Sequence, residues 1–343
     1  MSAPGTLALA TRGLRKSYGK RLALDGLELS VPAGVVYGFL GPNGAGKTTT
    51  MRLLTGLLHP DAGSIELLGR PFRRGDRKRL FEVGALVESP SFYPYLSGRK
   101  NLQVLASAGA PVPPRRVDEL LDLVGLKERA GDKVSGYSLG MKQRLGIAGA
   151  LLSDPKLLLL DEPANGLDPA GIVAMREMLR RLAAAGKTVF VSSHLLAEVR
   201  VLADVVGIIA AGKLVREGTL DSLLRDQGVV RVRVPRADVA TARTTLERIA
   251  RTDGGAEPEG DPWLAVHVEP NLAGAVNRAL AEAGIYATGL ESGTDLELLF
   301  LELTGGTSAS NEGTFGTAGA GASVASDTGP EAGPAGTASG PTA

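Results

Sequence analysis

The stretch "GVVYGFLGPNGAGKTTTMRLLTGLL", residues 34 to 58, carries three kinds of residue pattern in succession. "GVVYGFLG" (34 to 41) is a near-continuous apolar run, the composition of a strand covered on both faces of a sheet. "TTTMRLLTGLL" reads as a helix. Between them "GPNGAGKT" (41 to 48) places Gly41, Pro42, Asn43, Gly44, Ala45 and Gly46 before Lys47 and Thr48, with Thr49 continuing into the helix. The glycines let backbone N–H groups wrap a phosphate chain, and the helix N-terminus adds positive potential. Lys47 reaches the terminal phosphates and Thr48 offers a hydroxyl to Mg²⁺. An ordinary Gly-rich turn is the plainer alternative, which the strand–loop–helix order disfavours. A nucleoside triphosphate is the expected ligand.

A second stretch, "KLLLLDEP" (156 to 163), supplies the complement. An apolar strand ending in Asp161 sets a carboxylate beside Mg²⁺, and Glu162 next to it can deprotonate the attacking water. A helix-capping acid pair is the bland reading. "TVFVSSH" ends another buried run on His194, placed to contact the γ-phosphate, although a lone histidine at a strand end is more often structural.

The 343 residues carry a net charge of +1 and no cysteine. That balance argues against bulk nucleic acid as a partner, and the cysteine count removes disulfides and thiolate metal sites. The N-terminus does not read as a signal peptide, and no uncharged apolar run approaches the ~18 residues that span a bilayer. Any membrane role is therefore expected to come through a partner.

Residues 7 to 218 alternate strand-like and helix-like runs, which predicts an α/β sheet with helices on both faces. A helical subdomain is expected to interrupt them over about 88 to 152. Residues 219 to 305 read as a small α/β unit: "VVRVRV" (229 to 234) and "ADVATARTTLERIAR" (237 to 251) form a strand–helix pair, repeated by "LAVHVEP" and "NLAGAVNRALAEAG", and "LELLFLELTG" closes it with a helix. From Gly306 to Ala343 the chain is almost all Gly, Ala, Ser, Thr and Pro, a composition that cannot offset its ordering entropy and predicts disorder. The basic run "RPFRRGDRKRLFE" (70 to 82) reads as a solvated face.

The combination above is shared by many phosphoryl-transfer enzymes, and "YSLGMKQRLGIAGALL" (137 to 152) narrows it. Ser138 and Gly140 open an apolar-striped helix, and here the chain resembles the nucleotide-binding subunits of ATP-binding cassette (ABC) transporters. Tyr18 in "KSYG" fits the aromatic that stacks on adenine, residues 41 to 48 the Walker A motif, and "LLLLDEP" Walker B with its catalytic glutamate. "NGLD" (165 to 168) fits the D-loop, bringing in Asp168, and His194 the switch histidine. Tyr137, Leu139 and Met141 depart from the usual Leu-Ser-Gly-Gly-Gln signature, while Ser138 and Gly140 remain.

The resemblance implies a P-loop ATPase with ATP and Mg²⁺ as cofactors, working as a head-to-tail dimer with itself or a homologous ATPase. In that dimer the signature of one protomer caps the ATP of the other. It implies a separate multi-span permease and a place on the cytoplasmic face of the membrane. Overall similarity points to export of an antibiotic, peptide or other small molecule. A soluble ABC ATPase acting on ribosomes or DNA is the alternative, and the single Walker A and absence of a long heptad run disfavour it. A GTPase is excluded because no Asn is followed by Lys.

The last expectation concerns "VGALVESPSFYPYLSGRKNL" (83 to 102). Glu88 stands where most of the family has glutamine, as in a subgroup resembling bacitracin-resistance and lantibiotic-immunity exporters. A carboxylate is a good ligand for a hard cation, so Glu88 is expected to ligate Mg²⁺ directly or through a neighbour. Phe92, Tyr93 and Tyr95, bracketed by Pro90 and Pro94, are expected either to line a groove for a permease helix or to pack in the helical subdomain.

Overall fold

The computed structural model describes residues 6–109, 112–225, 228–254 and 261–294. The chain begins with strands β1 (Leu7–Tyr18), β2 (Arg21–Pro32) and β3 (Val36–Leu40), and helix α1 (Lys47–Leu54) follows the Gly-rich loop. β4 (Ala62–Leu67), β5 (Arg70–Phe72) and β6 (Val83–Leu86) lead into helices α2 (Gly98–Ala108), α3 (Arg116–Leu123) and α4 (Leu139–Ala150). β7 (Leu157–Asp161), α5 (Pro169–Ala184), β8 (Thr188–Ser193), α6 (Leu196–Leu202), β9 (Val205–Ala210), β10 (Lys213–Thr219) and α7 (Leu220–Arg225) come next. β11 (Gly228–Arg233), α8 (Val239–Glu247), β12 (Thr252–Gly254), β13 (Trp263–Val266), α9 (Ala273–Glu282) and β14 (Gly289–Thr294) complete it.

The central sheet has the order β10-β9-β3-β8-β7-β6. Its strands run parallel from β6 to β9, and β10 joins antiparallel at the edge. The apolar runs are continuous because alternate side chains enter different cores. Leu158 and Leu160 pack with residues of α2 to α5, whereas Leu157 and Leu159 pack with Met51, Leu53 and Leu54 of α1 and with Phe39 and Phe190. Losing either face by one buried leucine would cost about 2–5 kcal/mol.

The structure adds something the alternation of runs did not predict. β2-β1-β4-β5 form a second, antiparallel sheet, whose residues Leu9, Leu14, Leu27 and Leu29 close the α1-side core. The β1–β2 pairing contains four register shifts, each of which breaks the period-two pattern that marks a half-buried strand.

Residues 228 to 294 form a separate four-stranded antiparallel sheet of order β12-β13-β11-β14. Connected as β-α-β-β-α-β, this is a split-βαβ arrangement. Val230, Val232 and Val234 face Ala242 and Leu246 of α8 and Val276 and Leu280 of α9, all buried. The alternating arginines point the other way, and Arg231 and Arg233 both lie 5.4 Å from the Trp263 ring. The repeated strand–helix pair matches the expectation, to which the structure adds β12 and β14. The helix expected from "LELLFLELTG" and the tail from Gly306 lie outside the described residues.

Candidate functional site

Three parallel strands deliver the chemistry to one edge of the central sheet. The Gly-rich loop follows β3, Asp161 ends β7, and His194 immediately follows β8. Clefts outside the carboxyl ends of parallel strands are where α/β sheets bind ligands.

The loop's shape depends on Gly46. It precedes α1 with φ +115°, and a Cβ there would lie 2.7 Å from the Leu24 side chain and 2.8 Å from the Ala23 carbonyl. Any side chain is therefore strained twice, by conformation and by contact. Lys47, only 5% exposed, starts the helix. Its ammonium donates to the carbonyls of Gly41 at 2.7 Å and Pro42 at 3.3 Å, and pairs with Glu162 Oε1 at 3.2 Å. Tyr18, Asn43, Gly44, Thr48, Thr49 and Glu162 border the same cleft as Lys47.

Glu162 stands at the centre of the polar chain. Its other oxygen, Oε2, lies 2.6 Å from His194 Nδ1. A carboxylate oxygen only accepts, so Nδ1–H donates to it and the ring is oriented by that bond. The Glu162 backbone is left-handed, φ +47°, and its N–H donates to Ser192 Oγ at 3.0 Å. The same Ser192 hydroxyl, fully buried, donates to Asp161 Oδ1 at 2.5 Å. Ser192 was not among the residues singled out from sequence. Its signal was present in "TVFVSSH", where it falls two positions before His194. Behind the chain, Ser193 Oγ donates to the half-buried Glu198 at 3.1 Å. Burial pushes the Glu198 carboxyl up, and the charge of Glu162 adds to it, against the Ser193 bond and His194.

The remaining expected residues divide into two further places. Ser138 caps α4, its Oγ accepting from Met141 N at 3.3 Å, and Asp168 caps α5, accepting from Gly171 N at 3.1 Å. A Cβ on Gly140 would touch Leu167 at 3.3 Å, so the α4 N-terminus and the 165–168 loop abut each other. None of Ser138, Gly140 or Asp168 borders the Lys47 cleft. Tyr137 is buried over Gly98 and donates to the Arg129 carbonyl at 2.7 Å. This aromatic is thus a packing residue of the helical region, which explains its presence beside Ser138.

Glu88 is also outside the residues bordering that cleft; it ends the β6 segment in a left-handed conformation, φ +66°, and forms an ion pair with Arg52 of α1. Phe92 packs against the helical core, while Tyr93 and Tyr95 stay exposed as a tilted pair 5.9 Å apart. Their loop is tied down by buried Asn101, which accepts from Tyr93 N at 2.8 Å and donates to the carbonyls of Tyr93 and Ser97. Of the two readings of the aromatic cluster, core packing holds for Phe92.

The residues expected to meet a metal, Thr48 with its hydroxyl and Asp161 with its carboxylate, present hard oxygens, a chemistry that fits Mg²⁺ arriving with phosphate ligands and fits no soft ion. A glycine cradle at a helix N-terminus, a lysine, a strand-end Asp-Glu pair and a histidine define a P-loop nucleoside triphosphatase. Comparison with known proteins narrows that class. The family model described as ABC transporter matches residues 24–165. The bacitracin transport ATP-binding protein BcrA of Enterococcus faecalis is 38% identical over 301 residues, 87% of this chain and 96% of its own. The lantibiotic transport ATP-binding protein SrtF of Streptococcus pyogenes is 44% identical over 213 residues, 62% of this chain and 91% of its own. A solved ATP-binding subunit of an ABC transporter is 31% identical with TM-score 0.58, covering 64% of this chain and 92% of that one. The chain belongs to the ABC transporter ATP-binding proteins, a family of ATPases with the P-loop α/β fold.

Proposed function

We propose that this chain hydrolyses MgATP in the Lys47 cleft and so energises a separate permease that exports an antibiotic or peptide. The observation that supports this reading best is the continuous polar chain Lys47–Glu162–His194 beside the glycine cradle. Export of such cargo is supported by the relatives, whose names assign them bacitracin and lantibiotic transport. They are transport proteins, against the alternative of an ATPase working on ribosomes or DNA.

In this reading Tyr18 stacks on the base and residues 41–49 wrap the phosphates. Lys47 exchanges its Glu162 contact for phosphate oxygens, leaving the carboxylate free to accept the proton of the attacking water. Ser192 fixes Asp161 and the Glu162 backbone together, so the two acids hold their spacing. His194, oriented by Nδ1–H on Glu162, presents Nε2 toward the γ-phosphate. Thr48 and Asp161 are the residues that would hold Mg²⁺, and Glu88 a more distant candidate; the ion supplies charge neutralisation as the γ-phosphate departs. Ser138, Gly140 and Asp168, clustered away from the cleft, suit a second protomer's nucleotide in a head-to-tail dimer. Exposed Tyr93 and Tyr95 would serve as anchors for the permease at the cytoplasmic membrane face; among the described residues no helix is long and apolar enough to cross a membrane.

The division into an ATPase portion (7–218, helical part about 88–152) and an accessory portion (219–305) belongs to the same proposal. The test is Glu162→Gln in the purified full chain. ATP binding measured by fluorescence should persist, and phosphate release should fall by roughly a hundredfold to ten-thousandfold. Near-normal release would remove Glu162 from the role of base.

A further inference from the structure

Arg52 has no part in the site described so far, yet it connects two of its regions. It lies four residues beyond Thr48 on α1, hence on the same helix face and roughly 6 Å further along the axis. From there its guanidinium meets Glu88 Oε1, joining the phosphate-loop helix to the end of the β6 segment. Glu88 first, and Tyr18 in the same sense, hold the Arg52 pKa above its ordinary value.

Glu88 opens the segment that carries exposed Tyr93 and Tyr95. Its left-handed backbone is a conformation that non-glycine residues keep only where their surroundings hold them, and its side chain is 53% exposed, so little packing does so. Among the described residues, the polar contact of its side chain is the ion pair to Arg52.

We propose that Arg52 is a positioning residue that clamps Glu88 to α1, so that the phosphate-loop helix and the 88–95 segment shift as one unit. The clamp also keeps the Glu88 carboxylate neutralised while a polyphosphate enters one helical turn away. Where glutamine would need no such partner, the acid at 88 requires one. The proposal rests on the reading of the cleft as an ATP site, and concerns the chain's own residues rather than the metal.

The experiment measures affinity for a fluorescent ATP analogue in EDTA, using the full chain and the variants Arg52→Ala, Arg52→Lys and Arg52→Ala/Glu88→Gln. Arg52→Ala exposes an unpaired carboxylate to the phosphates and should weaken binding by about twofold to fivefold, the range of an exposed ion pair. Adding Glu88→Gln removes that charge and should restore wild-type affinity. Arg52→Lys keeps the charge without the planar fork and should lose less than Arg52→Ala. Raising the salt concentration should shrink the Arg52→Ala defect. An Arg52→Ala chain that binds as tightly as wild type overturns the proposal, as does a double variant no tighter than Arg52→Ala, which would reduce Arg52 to a prop of α1. A wild-type chain that binds no nucleotide even when Mg²⁺ replaces the EDTA overturns the site reading itself, a different result from either.

Discussion

Glu162 and Glu88 share a rare backbone state and live in opposite circumstances. Both have φ in the left-handed region, +47° and +66°. Glu162 is 22% exposed and is held by Lys47, His194 and, through its backbone, Ser192. Glu88 is 53% exposed and answers to Arg52. Strain at a functional position persists only when neighbours over-determine it. The strand-end region around Glu162 meets that condition several times over, which suits the proposed base, whose water would have to be placed to within a fraction of an ångström. The Glu88 side chain meets it once, while Phe92 and Tyr93 further along are held by the helical core and Asn101, which suits the proposed joint.

The largest expected effect tests whether the two acids differ in chemistry as they do in setting. Glu162→Gln should cut ATP hydrolysis by roughly a hundredfold to ten-thousandfold, whereas Glu88→Gln should change it by less than about tenfold under saturating Mg²⁺. Steady-state phosphate release on the two purified variants decides it. Equal losses would mean that Glu88 reaches the reacting atoms, and the contrast between a catalytic and a linking acid would collapse. His194→Ala should fall between them at about a hundredfold, the value of one preorganised donor, with ATP binding retained.

What the sequence disclosed follows the same division. The Gly-rich loop, Asp161, Glu162 and His194 were legible because each is contiguous with an apolar strand run, so backbone type and chemistry share one short stretch. Arg52, Ser192, Asn101 and Glu198 were not, since each acts on a partner outside its own short stretch, Tyr93 in the case of Asn101, and looks locally like a helix face or a polar strand end. Arg52 had a signal in its i, i+4 spacing from Thr48. The antiparallel sheet of β1, β2, β4 and β5 went unseen because its four β1–β2 register shifts interrupt alternation. Its glycines and charged residues also resemble loop composition.

A smaller effect measures how firmly each acid is held. Replacing either by glycine removes the left-handed strain, about 1 kcal/mol, and adds flexibility to the unfolded chain. At Glu88 the lost pair is exposed, so thermal unfolding of Glu88→Gly should lie within about 0.5 kcal/mol of wild type. At Glu162 the substitution leaves the buried Lys47 ammonium without its carboxylate, and Glu162→Gly should be destabilised by roughly 2 kcal/mol despite the relieved strain. Similar losses at both positions would show that Glu88 has unseen support and would blur the distinction between a fixed site and a light joint.

The smallest effect probes the ground behind Glu162. Glu198 is half-buried, and its carboxyl is pushed up chiefly by burial, with the Glu162 charge adding to it. A carboxyl whose folded pKa exceeds its unfolded value binds more protons in the native chain than in the unfolded one. Stability therefore declines as pH rises from the ordinary carboxylate range, near 4.5, through the raised folded value. Above that window the full penalty of a desolvated charge facing Glu162 remains. Glu198→Gln keeps an oxygen to accept from Ser193 and cannot ionise, so it should match wild type at low pH and gain relative stability as pH climbs. Melting temperatures of the pair across pH 4 to 8 should diverge only in that direction. A constant offset at every pH would assign the difference to packing, and the strand-end region would then owe its rigidity to its hydrogen bonds alone, with no electrostatic load carried by Glu198.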